Sequence, residues 1–320
     1  MPSMGLPVRM SVPQAIVLER NKLVLRRIAR VLGCAGFEVR TCEEPEKVDL
    51  VALNGAQLAM ADAFDADLMM RWLRERPMLK GVLYSGEPLD RLLAKALEEP
   101  RLIALLGRPS FEVPPREDDI IHVSRRCVAA ESAPFEAHLA WGAAEFEYAL
   151  TDARGRDQAV HETIAFATRL GAPKRVGEML GELAHELIMN ALYDAPVDEQ
   201  GHPRFAHDRK ADIALPESDA ALFRCGCDGV RIAVEVQDRF GRLTRKHVFG
   251  GLVRALKSGT MDTAGGGAGL GMLVSYRSTT ALFYDVVPNR RTRVTGLFDL
   301  DLNLREFRLL PKTIHFPEET

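Results

Sequence analysis

The chain has 320 residues, 47% of them hydrophobic and 27% charged, and its formal net charge is −3. That composition is ordinary for a folded, water-facing protein. The slight acidity gives no electrostatic reason to bind nucleic acid or an anionic membrane, which select a basic face, and no apolar run nears the ~20 residues that span a bilayer.

In chain order, residues 1–12 read as a flexible tail, too short and too broken by Pro and Gly for a signal peptide. A short apolar run at 15–18 suits a buried parallel strand, and 23–32 has helical apolar spacing that stops near Gly33 and Gly36. The alternation continues: 37–40 is extended, 49–53 is a buried strand, and 60–74 is helical. A strand at 81–85, a helix at 89–97 and a strand at 103–106 then lead to Arg108-Pro109. Strands alternating with helices at this spacing predict an α/β fold with a doubly wound parallel sheet.

Prolines and mixed charges between Pro109 and Asp119 mark a linker. The segments 132–148 and 157–170 both carry helical apolar patterns. From 178 to 192 a helix places Glu182, Glu186 and Asn190 on one face, four residues apart. An alternating strand, 232–236, then runs into Asp238, with Gly241 three residues on. The glycine run 263–271 follows, and a helix opens at about Leu270. The last strand spans 292–298 and carries Thr295. The five cysteines (Cys34, Cys42, Cys127, Cys225 and Cys227) are scattered and odd in number, as expected of reduced thiols in the cytoplasm.

Two resemblances organise these elements. Over residues 14 to about 115 the order resembles a response-regulator receiver domain. That family implies a phospho-accepting aspartate at the end of the third strand, where this reading places Asn54, which is no nucleophile for phosphoryl transfer. After the first strand the family carries an acidic pair for magnesium, and this chain has Glu19-Arg20. Ser85 fits the switch hydroxyl, and Arg108-Pro109 stands where Lys-Pro is usual. The resemblance thus implies a pseudo-receiver that takes no phosphate and offers a face to a partner, or residues with structural jobs only.

From about 170 to 302, three boxes in order resemble the GHKL (Bergerat) ATP-binding fold of histidine kinases and anti-sigma-factor kinases: Glu186-x-x-x-Asn190, Asp238-x-x-Gly241, and Gly267-x-Gly269-Leu270-Gly271. The resemblance implies a two-layer α/β sandwich binding ATP and Mg2+. Asn190 would ligate the magnesium, Asp238 would accept from the adenine amino group, and Gly241 would let backbone pass close to the base. Gly267, Gly269, Leu270 and Gly271 would form the phosphate loop at a helix start, with a lid before them around Lys257. Thr295 would reach adenine through water, and Glu186 would be the general base. Two departures stand out. Tyr193 and Asp194 occupy the place of the family's usual basic residue, and a long connection, 195–215, reads only as a surface loop or partner contact. His161-Glu162 lacks the basic residue and proline of a phospho-accepting histidine motif, so it reads as a solvated or interface histidine.

The implied layout is a tail (1–12), a pseudo-receiver (13–118), a helical connector suited to homodimerisation (119–172), a GHKL domain (173–310) and a tail (311–320). Three functions follow: an ATP–Mg-binding regulator of a protein partner, a histidine or serine kinase, or a protein-interaction scaffold without nucleotide. Nucleic acid and membrane insertion are not expected.

Overall fold

The structure is a computed structural model that describes residues 12–129, 132–209, 211–258 and 268–317. The N-terminal half alternates β1 (Gln14–Leu18), α1 (Lys22–Cys34), β2 (Glu38–Cys42), α2 (Leu50–Gly55), β3 (Leu58–Asp62), α3 (Ala66–Glu75), β4 (Lys80–Ser85), α4 (Asp90–Glu98), β5 (Leu102–Gly107) and α5 (Glu117–Val128). Its strands are all parallel, in the order β2-β1-β3-β4-β5, so the expected doubly wound α/β architecture is present.

Two expectations fail inside it. Residues 49–53 are not a strand. Asp49 caps α2, its side chain accepting from the N–H groups of Val51 and Ala52, and a capped start of this kind favours helix. The buried third strand is 58–62, so Asn54 lies on α2, where it accepts from Arg76 Nε at 2.9 Å. Asp62, not Asn54, ends β3.

The C-terminal half comprises β6 (Ala144–Leu150), α6 (Ala153–Arg169), α7 (Lys174–Met189), β7 (Ala221–Cys227), β8 (Arg231–Asp238), α8 (Gly251–Ser258), α9 (Ala268–Arg277), β9 (Ala281–Val287), β10 (Arg291–Asp299), α10 (Leu304–Leu309) and β11 (Thr313–His315). The helix expected over 132–148 is instead a 3-10 turn at Phe135–His138 followed by β6. The alternation Phe146, Tyr148, Leu150 has the strand period of two. The helix expected from 157 is α6, which packs against α7 of its own chain.

The residues expected to be a C-terminal tail join the two halves. β11 pairs antiparallel with β5 and parallel with β9, giving one sheet in the order β2-β1-β3-β4-β5-β11-β9-β10-β8-β7-β6. A hydrophobic core on each face runs across both halves: Leu73, Leu93, Leu180 and Val234 share one, and Val17, Ile28, Ala233 and Leu297 the other. Arg245 reinforces the join. Its buried guanidinium donates to Ala96 O at 2.6 Å, Phe316 O at 2.9 Å and Leu102 O.

On the opposite face of the seam, His122 of α5 stacks on His138 with ring centroids 4.3 Å apart, and Phe283 of β9 lies against His122, His138 and His315. Arg126, Arg293 and Asp285 line the same small cavity, with Thr295 beside Glu235. Burial, then neighbouring cations, pushes His138 well below its ordinary value and His315 down to about 3.

Two outcomes test this seam. A Cβ on Gly107, at the end of β5, would come 1.8 Å from Pro311 O. Gly107→Ala should therefore lower stability by about 2 kcal/mol or more, read as a lower urea midpoint; an unchanged midpoint contradicts the β5–β11 packing. As pH falls from 6.5 toward about 3, the unfolded chain takes up a proton that folded His315 refuses. Stability from this group is thus present above pH 6.5 and is lost on acidification, by up to ~1.4 kcal/mol per pH unit. His315→Gln should lose less stability between pH 7 and pH 5 than the wild type, and parallel losses would refute the assignment.

Candidate functional site

α7 is built for burial on one side: Val176, Leu180, Leu183, Ala184 and Leu187 lie in the core at helical spacing. The helix passes at Asn190 into a π turn, Asn190–Asp194, closed by Ala195 N–H donating to Asn190 O at 2.9 Å. π turns of this kind frequently sit at functional sites. β8 delivers Asp238 to the same place. Asn190 and Asp238 line one cleft of about 450 Å³ with Asp194, Arg209, His247, Arg254, Met272 and Thr292 among its walls.

Asp238 is buried, and its Oδ1 accepts from the backbone N–H of Phe240 (2.7 Å) and Gly241 (3.2 Å). Burial pushes this acid up, while those two N–H groups oppose the shift by favouring the anion. The carboxylate is thereby fixed in orientation beside Thr292 of β10, which also bonds it.

Glu186 lies one turn before Asn190. Its Oε2 is buried with no hydrogen-bond partner among the described residues, and it presses against Gly271, where a Cβ would come 2.4 Å from it. Gly269, Leu270 and Gly271 form the first turn of α9, and Leu270 is partly exposed. Met272, from the next position, enters the cleft. Gly267 and the segment 259–267 lie outside the described residues.

One expected position is corrected. Thr295 is on the other face of β10, its hydroxyl donating to Glu235 Oε2 at 2.7 Å. Side chains alternate along a strand, so Thr292 and Val294 face the cleft and Thr295 does not. Gly241 has φ +60°, and a Cβ there would meet Val287 O at 2.2 Å. Its freedom serves the packing of this turn against the β9–β10 hairpin. Sequence reading also missed Arg209, His247, Arg254 and Thr292 as cleft residues. Only Thr292 left a signal, through the strand period; the others depend on how loops and helices return.

A second cluster sits at the carboxyl ends of the N-terminal strands. Arg108, following β5 and almost fully buried, donates to Glu19 Oε2 at 2.9 Å and to Asp62 Oδ2. Its guanidinium also lies over the rings of Tyr84 (5.1 Å) and Phe111 (4.9 Å). Arg20 does not face this cluster's centre; it grips Asp65 through two hydrogen bonds. Asp62 is pushed up by burial, with Phe64 N–H and Arg108 opposing. Ser85 accepts from Glu87 N–H at 2.9 Å. Asp62, Ser85 and Arg108 share a cavity of about 620 Å³ with Arg91 and Lys95 of α4. The carboxylate that ends β3 is thus Asp62, and Arg108 lies between it and Glu19, bonded to both.

No protein-family model and no curated protein matches the chain. Among solved structures, it is similar to the signal receiver domain of an HD domain-containing protein from Pseudomonas fluorescens Pf-5, at 18% identity over 36% of this chain and 92% of that one, TM-score 0.31. It is also similar to a response regulator from Thermotoga maritima (19% identity, 28% of this chain, 78% of that one, TM-score 0.25) and to the orphan response regulator HP1043 of H. pylori (18%, 27%, 75%, 0.25). The fold assignment of the N-terminal half rests on its own strand order and direction. No helix among the described residues is long and apolar enough to cross a membrane.

The buried Arg108 lock has a chemical consequence. With acetyl phosphate and Mg2+, the wild type should remain unmodified at Asp62, because Arg108 pairs its carboxylate and lies between it and Glu19. Arg108→Lys, which cannot fork between two acids, should gain a phospho-aspartate by mass spectrometry. A phospho-aspartate at Asp62 in the wild type would show that the lock opens.

Proposed function

We propose that this is a cytoplasmic signalling protein whose C-terminal half is a GHKL-type module that binds ATP with Mg2+, and whose receiver-like N-terminal half joins it in regulating a protein partner. The observation that carries this reading is the meeting of Asn190 and Asp238. Two residues from separate sequence boxes line one cleft, with an amide oxygen to offer a magnesium ion that keeps most of its waters and an oriented carboxylate to accept from an exocyclic amine. The cleft walls hold three arginines (Arg209, Arg242 and Arg254) against two aspartates (Asp194 and Asp238), which suits an anionic ligand.

Regulation is favoured over phosphotransfer because Tyr193, at the position of a usual cation, is buried and donates its hydroxyl to Ala211 O. The kinase or ATPase reading keeps one support: Glu186 Oε2, buried, without a hydrogen-bond partner among the described residues and one turn from Asn190.

Calorimetry on the full chain at millimolar Mg·ATP should give a saturable heat. Asp238→Asn turns an acceptor toward a donor and should weaken binding by roughly 1–3 kcal/mol; Asn190→Ala should abolish the dependence on magnesium. Glu186→Ala should leave binding intact, and if the wild type hydrolyses ATP it should lower turnover by ~10²–10⁴-fold. A folded wild type that gives no heat would sink the proposal, and brisk hydrolysis would move it to the enzyme reading.

A further inference from the structure

Asn190 is followed on its helix by a tyrosine and an aspartate, so α7 itself brings no cation to the cleft. The connection 195–215 does. Val197, Pro203, Ala206 and Arg209 all line the cleft wall. Within the loop, Val197 pairs with Pro203 in an isolated bridge, and Arg204 N–H donates to Pro196 O at 3.0 Å. Tyr193 Oη holds Ala211 O at 3.1 Å, and Ala214 bridges to Asp152. These ties fix where Arg209 enters. Its guanidinium returns to Asp194, four residues beyond Asn190, through Nη2 and Asp194 Oδ2.

Resting on the nucleotide reading above, we propose that Arg209 is the phosphate-binding cation of this cleft, supplied by the loop in place of the one absent from α7, with Asp194 as its holding partner. An arginine suits both jobs. Its planar fork carries five N–H donors, so it can stay on a carboxylate through one nitrogen while presenting others to a phosphate, or exchange one acceptor for the other. Burial pushes the Asp194 acid up, with Arg209 and His247 opposing. Asp194 is a single carboxylate acceptor, and a polyphosphate offers several charge-assisted ones. The ligand class that follows is a nucleoside di- or triphosphate; a bare nucleoside would leave Arg209 on Asp194.

The test compares Mg·ATP with adenosine by calorimetry on the full-length chain. Arg209→Ala is expected to weaken ATP on the order of tenfold to a hundredfold and to leave adenosine unchanged. Arg209→Lys, which keeps the charge but not the fork, should fall between. Asp194→Asn, which removes the competing charge, should tighten ATP and leave adenosine unchanged. ATP affinity unmoved by Arg209→Ala overturns the inference, and so does an equal loss for ATP and adenosine, which would make Arg209 only a loop anchor. Should Arg209→Ala fail to fold, the ATP-to-adenosine ratio in Arg209→Lys and Asp194→Asn decides: ratios equal to wild type overturn the proposal. A wild type that binds neither ligand overturns the nucleotide reading and this inference with it, whereas a wild type that binds ATP with an unchanged ratio in the variants overturns this inference alone.

Discussion

Three residues of strand, Thr313–His315, hold the architecture together. Without β11 the chain would be a parallel five-stranded sheet ending at β5 and an antiparallel sheet ending at β9, each with an unpaired edge of N–H and C=O groups. β11 satisfies both edges at once. The same segment feeds the polar seam: Gly107 N–H donates to Thr313 Oγ1, which in turn reaches buried Asp119 Oδ2 at 3.1 Å. Asp119 and Asp299 both face Arg231, which is itself 3% exposed. Removing one charge from such a network strands the others, so the seam is selective about its partners even where its net contribution to stability is small.

That dependence explains where the sequence was readable. Long periodic elements came through: α1, α4, α7 and the run of β8 into Asp238 are visible because enough core-facing residues repeat to fix the period. Short apolar runs did not. Residues 49–53 and 58–62 are equally apolar, and what separates them is the Asp49 cap, a local contact to the N–H groups of Val51 and Ala52 that starts a helix at 50. The error moved the end of β3 by two turns of sequence and hid Asp62. β11 was unreadable for a different reason. A three-residue strand has no period of its own, and it is specified by the two edges waiting for it.

The lining of the cleft was legible to the same extent. Asn190 and Asp238 end regular elements, so their positions follow from element type. Thr295 failed through parity, since a one-residue error in register flips a side chain to the other face. Arg209 is the opposite case. It belongs to a connection with little regular structure, and its arrival beside Asp194 depends on Tyr193, Val197, Pro203 and Ala214 acting together. A loop of this length inside a compact fold calls for a functional account, and lining the cleft supplies one.

The two cavities are also not independent. α4 lends Arg91, Leu92 and Lys95 to the cavity beside Asp62 and Arg108. It also packs against the turn at Lys246–Gly250 and against α8, the segment that gives His247 and Arg254 to the cleft. Ala96 O at its far end is held by Arg245, the residue immediately before that turn. One helix therefore forms a wall of the first cavity and a support of the second. Its carboxyl-terminal anchor is a charge-assisted hydrogen bond, stronger than a neutral one. Close-packed interiors transmit strain, and the Arg245 contact ties α4 to the segment that carries His247 and Arg254. The N-terminal half is thus part of the support of the cleft.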